Sequence, residues 1–127
     1  MANEEKLKAQ LAAYLEGWKT NDRVNWLELF TDNAKLEDPV GTPAHVGKEA
    51  IGAFWDLVHQ MPMNFFPEMQ RAVICGNQGM LLFRMETRAE GGPGIAMDIV
   101  DIFTFNDDGL ITELKAYWDA GCSSMVA

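Results

Sequence analysis

The sequence is poor in cysteine and histidine. Of 127 residues, two are cysteines, Cys75 and Cys122, and two are histidines, His45 and His59. Two cysteines without a CxxC unit cannot build a disulfide framework, so we expect reduced thiols. Because the histidines and cysteines have no ligand-like spacing, we also expect neither a metal site nor a cofactor held by one.

Positive charge is scarce, and long apolar runs are missing. Ten basic residues against nineteen acidic ones give a net charge of -9. A negative field repels phosphates, which argues against nucleic acids and anionic lipids as partners and leaves a neutral apolar ligand unaffected. No run approaches the roughly 18 apolar residues of a membrane span. Residues 1–8 are polar and lack a signal-peptide core, so we expect a cytoplasmic protein.

Three helices are predicted in the first half of the chain. The first covers about residues 3–20, with Asn3 as its N-cap. Its apolar stripe consists of Leu7, Leu11, Tyr14, Leu15 and Trp18. A short second helix follows the turn at residues 21–22, and a third covers roughly residues 48–60. Their predicted apolar faces are Val24, Leu27 and Phe30 in the second, and Ile51, Phe54, Trp55 and Val58 in the third.

From residue 63 the chain changes to strands separated by turns. Turn sequences rich in Gly, Asn and Asp recur at residues 76–79, 91–94 and 106–109, between β-rich runs. Three helices followed by a four-strand antiparallel meander predict an α+β fold. We expect one domain, residues 1–127, whose helices pack on one face of a curved, mostly antiparallel sheet.

One aspartate of the predicted strand at residues 95–105 falls within an apolar face. Alternate residues of a strand share a face, and the bulkier set is placed toward the helices. That set is Ile95, Met97, Ile99, Asp101, Phe103 and Phe105. An unpaired buried carboxylate is costly, so Asp101 would tend to stay protonated and act as a hydrogen-bond donor. The alternatives are an ion pair with an arginine such as Arg84, or capping of backbone amides.

Two further polar residues have apolar neighbours. Tyr14 lies on the stripe of the first helix, where a buried tyrosine hydroxyl needs a partner. Asp38 ends a short extended piece, residues 34–38, with Leu36 on the same side. Each has an ordinary alternative, a core tyrosine bonded to a backbone carbonyl or a turn aspartate before Pro39. The residues taken singly leave these alternatives open.

Together, these positions and their flanking sequences resemble the steroid Δ-isomerase (ketosteroid isomerase) family over nearly the whole chain. The segments that carry the resemblance are Ala12-Ala13-Tyr14, Leu36-Glu37-Asp38-Pro39-Val40-Gly41, Ile51-Gly52-Ala53-Phe54-Trp55, Met97-Asp98-Ile99-Val100-Asp101-Ile102-Phe103-Thr104-Phe105 and Lys115-Ala116-Tyr117-Trp118. The resemblance implies a conical α+β barrel of the nuclear-transport-factor-two type, usually a homodimer. It also implies an activity that needs no cofactor.

The resemblance further implies a role for each polar residue. Asp38 would be the general base, moving a proton from the carbon next to a ketone to a position two carbons away. Tyr14 and protonated Asp101 would donate hydrogen bonds to the enolate oxygen. The substrate would be a small apolar ketone, and the family suggests a 3-oxo-Δ5-steroid. The residues expected to line the apolar cleft are Phe54, Trp55, Phe83, Leu114 and Trp118.

The sequence also departs from the family pattern. Many members have further tyrosines bonded to the catalytic tyrosine, and Phe30 and Trp55 occupy the corresponding positions here. Phenylalanine cannot donate, and tryptophan offers only its indole N–H. Two other functions remain open, because one fold hosts several chemistries. They are another enzyme of the same cone, such as a polyketide cyclase, and a non-catalytic module that binds an apolar ligand.

Overall fold

The structure, a computed structural model, describes residues 2–127 and begins with helices that give way to long strands. The helices are α1 (Glu4–Thr20), α2 (Arg23–Glu28) and α3 (Lys48–Val58). The strands are β1 (Phe30–Glu37), β2 (His45–Val46), β3 (Met63–Cys75), β4 (Gln78–Ala89), β5 (Gly94–Phe105), β6 (Ile111–Tyr117) and β7 (Ser123–Val126). A short 3-10 turn at Ala120–Cys122 precedes β7. Among residues 2–127, no helix combines the length and hydropathy needed to cross a membrane.

Helix α1 begins and ends where the sequence predicts. The Asn3 side chain accepts a hydrogen bond from the Lys6 backbone N–H at 2.7 Å, which satisfies one of the free donors of the first turn. Asn21 ends the helix in the left-handed conformation, with φ 56°. All five residues of the predicted stripe are buried. The apolar periodicity therefore located both the helix and its inner face.

The predicted face of the second helix is only partly correct. Leu27 is partly buried and packs against the core. Val24 is 71% exposed, and Phe30 belongs to β1 instead of the helix. Trp26 is the residue that α2 buries completely. Six residues make fewer than two turns, so their spacing fixes no face, and the large indole buries the most apolar area. Gly17 of α1 makes room for it, since a Cβ there would lie 2.9 Å from Trp26 Cδ1.

The strands form one sheet in the order β2-β1-β6-β5-β4-β3. The antiparallel meander from β3 to β6 confirms the prediction, and three helices packed on a mostly antiparallel, open sheet confirm the α+β fold class. Strand β1 joins this meander next to β6, in parallel orientation. Strand β7, which the sequence analysis did not predict, pairs with the beginning of β5.

The predicted inner face of β5 is correct in its second half. Asp101, Phe103 and Phe105 are buried, as parity requires. Ile95 is 47% exposed, so its predicted burial is wrong. It lies near the start of the strand, six residues before Asp101, where its neighbours of the opposite parity, Gly94 and Ala96, are buried instead. Parity assigns the face of a strand, but it does not say how far the covering elements reach.

Candidate active site

A cavity of about 360 Å³ lies between the helices and the inner face of the sheet. This volume is within the range of small-molecule sites. Most of its wall is apolar or aromatic, formed by Trp18, Phe54, Val58, Met63, Phe65, Phe83, Met85, Met97, Ile99 and Trp118. The oxygen-bearing side chains on the wall are those of Tyr14, Asp38, Thr87 and Asp101.

The sheet register brings two carboxylates to the same cavity. In the parallel pair β1–β6, Glu37 lies beside Lys115, so the next residue, Asp38, lies beside Ala116. Ala116 in turn lies beside Asp101 in β5. Neighbouring strands are about 4.8 Å apart, which puts the Cα atoms of the two aspartates about 10 Å apart across the sheet. The small Ala116 side chain between them leaves space for a ligand.

Asp38 is held by a tryptophan that follows β6. Trp118 has the same strand parity as Ala116, and its indole Nε1–H donates to Asp38 Oδ1 at 2.7 Å. Burial is the largest influence and raises the pKa of the Asp38 carboxyl above its ordinary value, although the bond from Trp118 and the charge of His45 each lower it in part. A hydrogen bond to the ionised form favours that form. Asp38 is thus a stronger base than an exposed aspartate, and the Trp118 bond offsets part of the cost of burying its charge.

Asp101 is buried more completely than Asp38 and, among the described residues, lacks a comparable donor. It is 1% exposed, and within residues 2–127 its Oδ1 atom is buried without a hydrogen-bond partner. Arg84, the alternative partner, lies 3.9 Å from Glu86 on a partly exposed part of β4. Burial, and then the charge of Asp38, raise the pKa of Asp101 well above its usual range. The group therefore favours the protonated state, in which it can donate a hydrogen bond into the cavity.

Tyr14 of α1 supplies a second donor over the sheet. Its ring is buried and packs edge-on against Phe103, with centroids 5.1 Å apart. Phe103 is two residues from Asp101 on the same face of β5, so the tyrosine lies over this part of the sheet. Burial, then the nearby Asp101 and Asp38, raise the pKa of Tyr14 well above its ordinary value, and contact with the Trp18 side chain lowers it. The phenol therefore remains a donor.

Of the five residues expected to line the cleft, three line the cavity and two lie elsewhere. Phe54, Phe83 and Trp118 contribute to the cavity wall. Leu114 is fully buried beside Leu36, as part of the core. Trp55 packs behind the wall against Trp18, with ring centroids 4.5 Å apart.

The two departures from the family pattern both serve apolar packing. Phe30 is fully buried and lies against Trp26, with centroids 4.9 Å apart. Trp55 contacts the same indole at 4.6 Å. An aromatic cluster therefore occupies the positions where the resemblance implies tyrosines in many other members.

Several wall residues were not identified from the sequence. They are Trp18, Val58, Met63, Phe65, Met85, Thr87, Met97 and Ile99. Strand parity offered a signal for four of them, because Met85 and Thr87 alternate with Phe83, and Met97 and Ile99 alternate with Asp101. The bond from Trp118 to Asp38 had no local signal, since it joins residues 80 apart in the chain.

The arrangement suits proton transfer to and from carbon. Within the part of the chain that the structure describes, no three His, Cys, Asp or Glu side chains are grouped to hold a metal ion. A carboxylate that can ionise faces a cavity with two neutral donors. Such a set can take a proton next to a carbonyl and stabilise the negative charge that develops on oxygen.

Known proteins share the sequence pattern and the fold. Residues 11–114 match the SnoaL-like domain family. A steroid Delta-isomerase of Nocardioides simplex is 30% identical over 116 residues, which cover 91% of this chain and 92% of that protein. The Delta 5-3-ketosteroid isomerase of a Mycobacterium species superposes with a TM-score of 0.82 at 23% identity, covering 95% and 98% of the two chains. A Mycobacterium tuberculosis protein solved with estradiol-17beta-hemisuccinate superposes with a TM-score of 0.82 at 23% identity, covering 94% of this chain and 98% of that one.

Proposed function

We propose that this chain, which belongs to the SnoaL-like domain family and is related to the ketosteroid isomerases, is a steroid Δ-isomerase. It would convert a 3-oxo-Δ5-steroid into the conjugated 3-oxo-Δ4-steroid. The observation that carries the proposal is the buried, unpartnered carboxyl of Asp101, which faces the same apolar cavity as Asp38. A merely structural aspartate would have an ion pair or backbone donors at this depth.

The first step is removal of the proton between the ketone and the double bond. The Asp38 carboxylate takes this proton from the α carbon, and the electron pair of the C–H bond delocalises onto the ketone oxygen as a dienolate. Tyr14 and protonated Asp101 donate hydrogen bonds to that oxygen. Donors placed where charge develops contribute on the order of 3–4 kcal/mol each, a factor of ~100 to 1,000 in rate.

The second step returns the same proton. The carboxylic acid of Asp38 donates it to the γ carbon, the ketone reforms, and the double bond is left in conjugation. Atoms and electrons balance without a cofactor. The wall around Phe83 and Trp118 keeps the reacting carbons away from water, so the proton stays with the aspartate between the two steps.

The two aspartates must hold different protonation states for this reaction. Asp38 receives a hydrogen bond from Trp118, which favours its charge. Asp101 has no such donor at Oδ1 and lies near the charge of Asp38. The difference in surroundings thus separates a base from an acid among chemically identical side chains.

The proposal is tested by mixing the purified protein with a β,γ-unsaturated 3-ketosteroid and following the ultraviolet absorbance of the conjugated ketone. We expect rapid conversion, and a loss of several orders of magnitude in turnover for Asp38→Asn with the fold intact. Asp101→Ala should cost less than Asp38→Asn, because Tyr14 remains as a donor. A reversed ranking would contradict the assigned roles.

The same experiment separates the two other functions. A folded protein that binds the steroid without converting it would support a non-catalytic binding module. A protein that acts only on cyclisation substrates would support a polyketide cyclase. The homodimer and the cytoplasmic location stay predictions, which light scattering and cell fractionation can test.

A further inference from the structure

The oxygen-bearing side chains of the cavity are unevenly distributed. Asp38 and Asp101 lie on either side of Ala116 across the sheet, with Tyr14 above them. The fourth, Thr87, belongs to the far end of β4. The inward-facing residues of that strand are Leu81, Phe83, Met85 and Thr87, so a hydroxyl follows three apolar side chains.

The pairing of β4 with β5 gives the distance between the two ends of the cavity. Leu81 pairs directly with Asp101, and Thr87 is six residues further along β4. At about 3.3 Å per residue, the Cα of Thr87 lies up to about 20 Å along β4 from the Cα of Leu81, the neighbour of Asp101. Asp101 and Thr87 line the same cavity, so one elongated ligand can reach from one to the other.

The neighbours of Thr87 leave its hydroxyl available. Across the sheet it pairs with Phe65 on one side and with Ile95 on the other, and neither side chain can form a hydrogen bond. Phe65 is buried and also lines the cavity, while Ile95 is largely exposed. Thr87 therefore marks the point where the apolar wall meets solvent. A threonine hydroxyl there can donate to a carbonyl or accept from an alcohol.

We propose that the Thr87 hydroxyl binds a second oxygen at the distal end of the ligand, and so selects among steroid ketones. This inference rests on the proposed function. The two side chains and a hydrogen bond at each end take up part of the span between Asp101 and Thr87, so the distance between the terminal oxygens of the ligand is shorter than that span. A steroid with a 3-ketone and a second oxygen on C17 or on its side chain has oxygens at opposite ends, as this arrangement requires. Thr87 is therefore expected to set specificity, through a second oxygen at the end of the steroid opposite the 3-ketone.

The test compares two ligands that differ in one oxygen. One is a conjugated 3-keto pregnene with a ketone at C20, and the other is its analogue with a methylene group there. Dissociation constants are measured by quenching of tryptophan fluorescence, since Trp18 and Trp118 line the cavity. We expect the wild-type protein to bind the C20 ketone about 5- to 10-fold more tightly, the gain of one ordinary hydrogen bond.

Two variants of Thr87 then identify the hydroxyl as the cause. Thr87→Val keeps the shape and removes the hydroxyl, and should bring the ratio of the two constants close to one. Thr87→Ser keeps the hydroxyl and should preserve the preference. A wild-type protein that binds both ligands equally, or a preference that survives in Thr87→Val, would overturn the inference and leave the proposed function standing. Failure to bind either ligand would overturn both.

Discussion

Replacing Asp101 by asparagine should stabilise the protein increasingly as the pH rises. Burial and the nearby Asp38 raise the pKa of this carboxyl well above its usual range, so the folded state keeps a proton that the unfolded chain loses near pH ~3.9. Stability that depends on this proton is fully present below that pH. It is lost as the pH rises toward the folded-state pKa. Asparagine has the same shape, donates a hydrogen bond and does not titrate.

The size of the effect follows from proton linkage. While the folded state is protonated and the unfolded state ionised, each pH unit costs the wild-type protein about 1.36 kcal/mol relative to the variant. Between pH 5 and pH 7 the difference in unfolding free energy should therefore grow by about 2.7 kcal/mol. Urea unfolding at fixed protein concentration measures it, with a slope of about 1–3 kcal/mol per molar.

A matched control lies three residues earlier on the same strand. Asp98 is exposed on the other face of β5, so Asp98→Asn should show no such growth with pH. If the Asp101→Asn and wild-type curves stay parallel from pH 5 to pH 7, Asp101 is ionised in the folded protein. The donor assigned to the oxyanion would then be absent, and the proposed mechanism would fail with it.

Three further substitutions test the base, the second donor and the core. Trp118→Phe removes the N–H that favours charge on Asp38. In a plot of kcat/KM against pH, the acid limb should therefore move to higher pH by about one pH unit. An unchanged profile would show that the hydrogen bond does not influence Asp38. Tyr14→Phe should lower kcat by about 100- to 1,000-fold in the isomerisation assay, and a loss below tenfold would remove Tyr14 from the mechanism. Leu114→Ala should lower the unfolding free energy by about 2–5 kcal/mol, and a loss under about 1 kcal/mol by urea titration would contradict its full burial.

Local patterns in the sequence predicted much of the fold. The stripe of α1 placed Tyr14 inside, because apolar residues recur at helical spacing along its 17 residues and mark one buried face. Alternation along β5 placed Asp101 on the inner face, since a strand of twelve residues with strong aromatic bias has one favoured side. The same method was only partly right for α2, where six residues contain too little periodicity: Leu27 packs against the core, but Val24 is exposed and Trp26 is buried instead.

The sequence by itself determined which residues face inward, because that depends on the geometry of single helices and strands. Only the tertiary structure decided which inward residues meet. The parallel pairing of β1 with β6 put Asp38 beside Ala116 and under the Trp118 indole, across 80 residues of chain. Because α3 packs behind Trp18, Trp55 lies in the core and does not line the cleft, although the sequence analysis expected it to. Both results depend on contacts between distant segments, whose geometry no local pattern encodes.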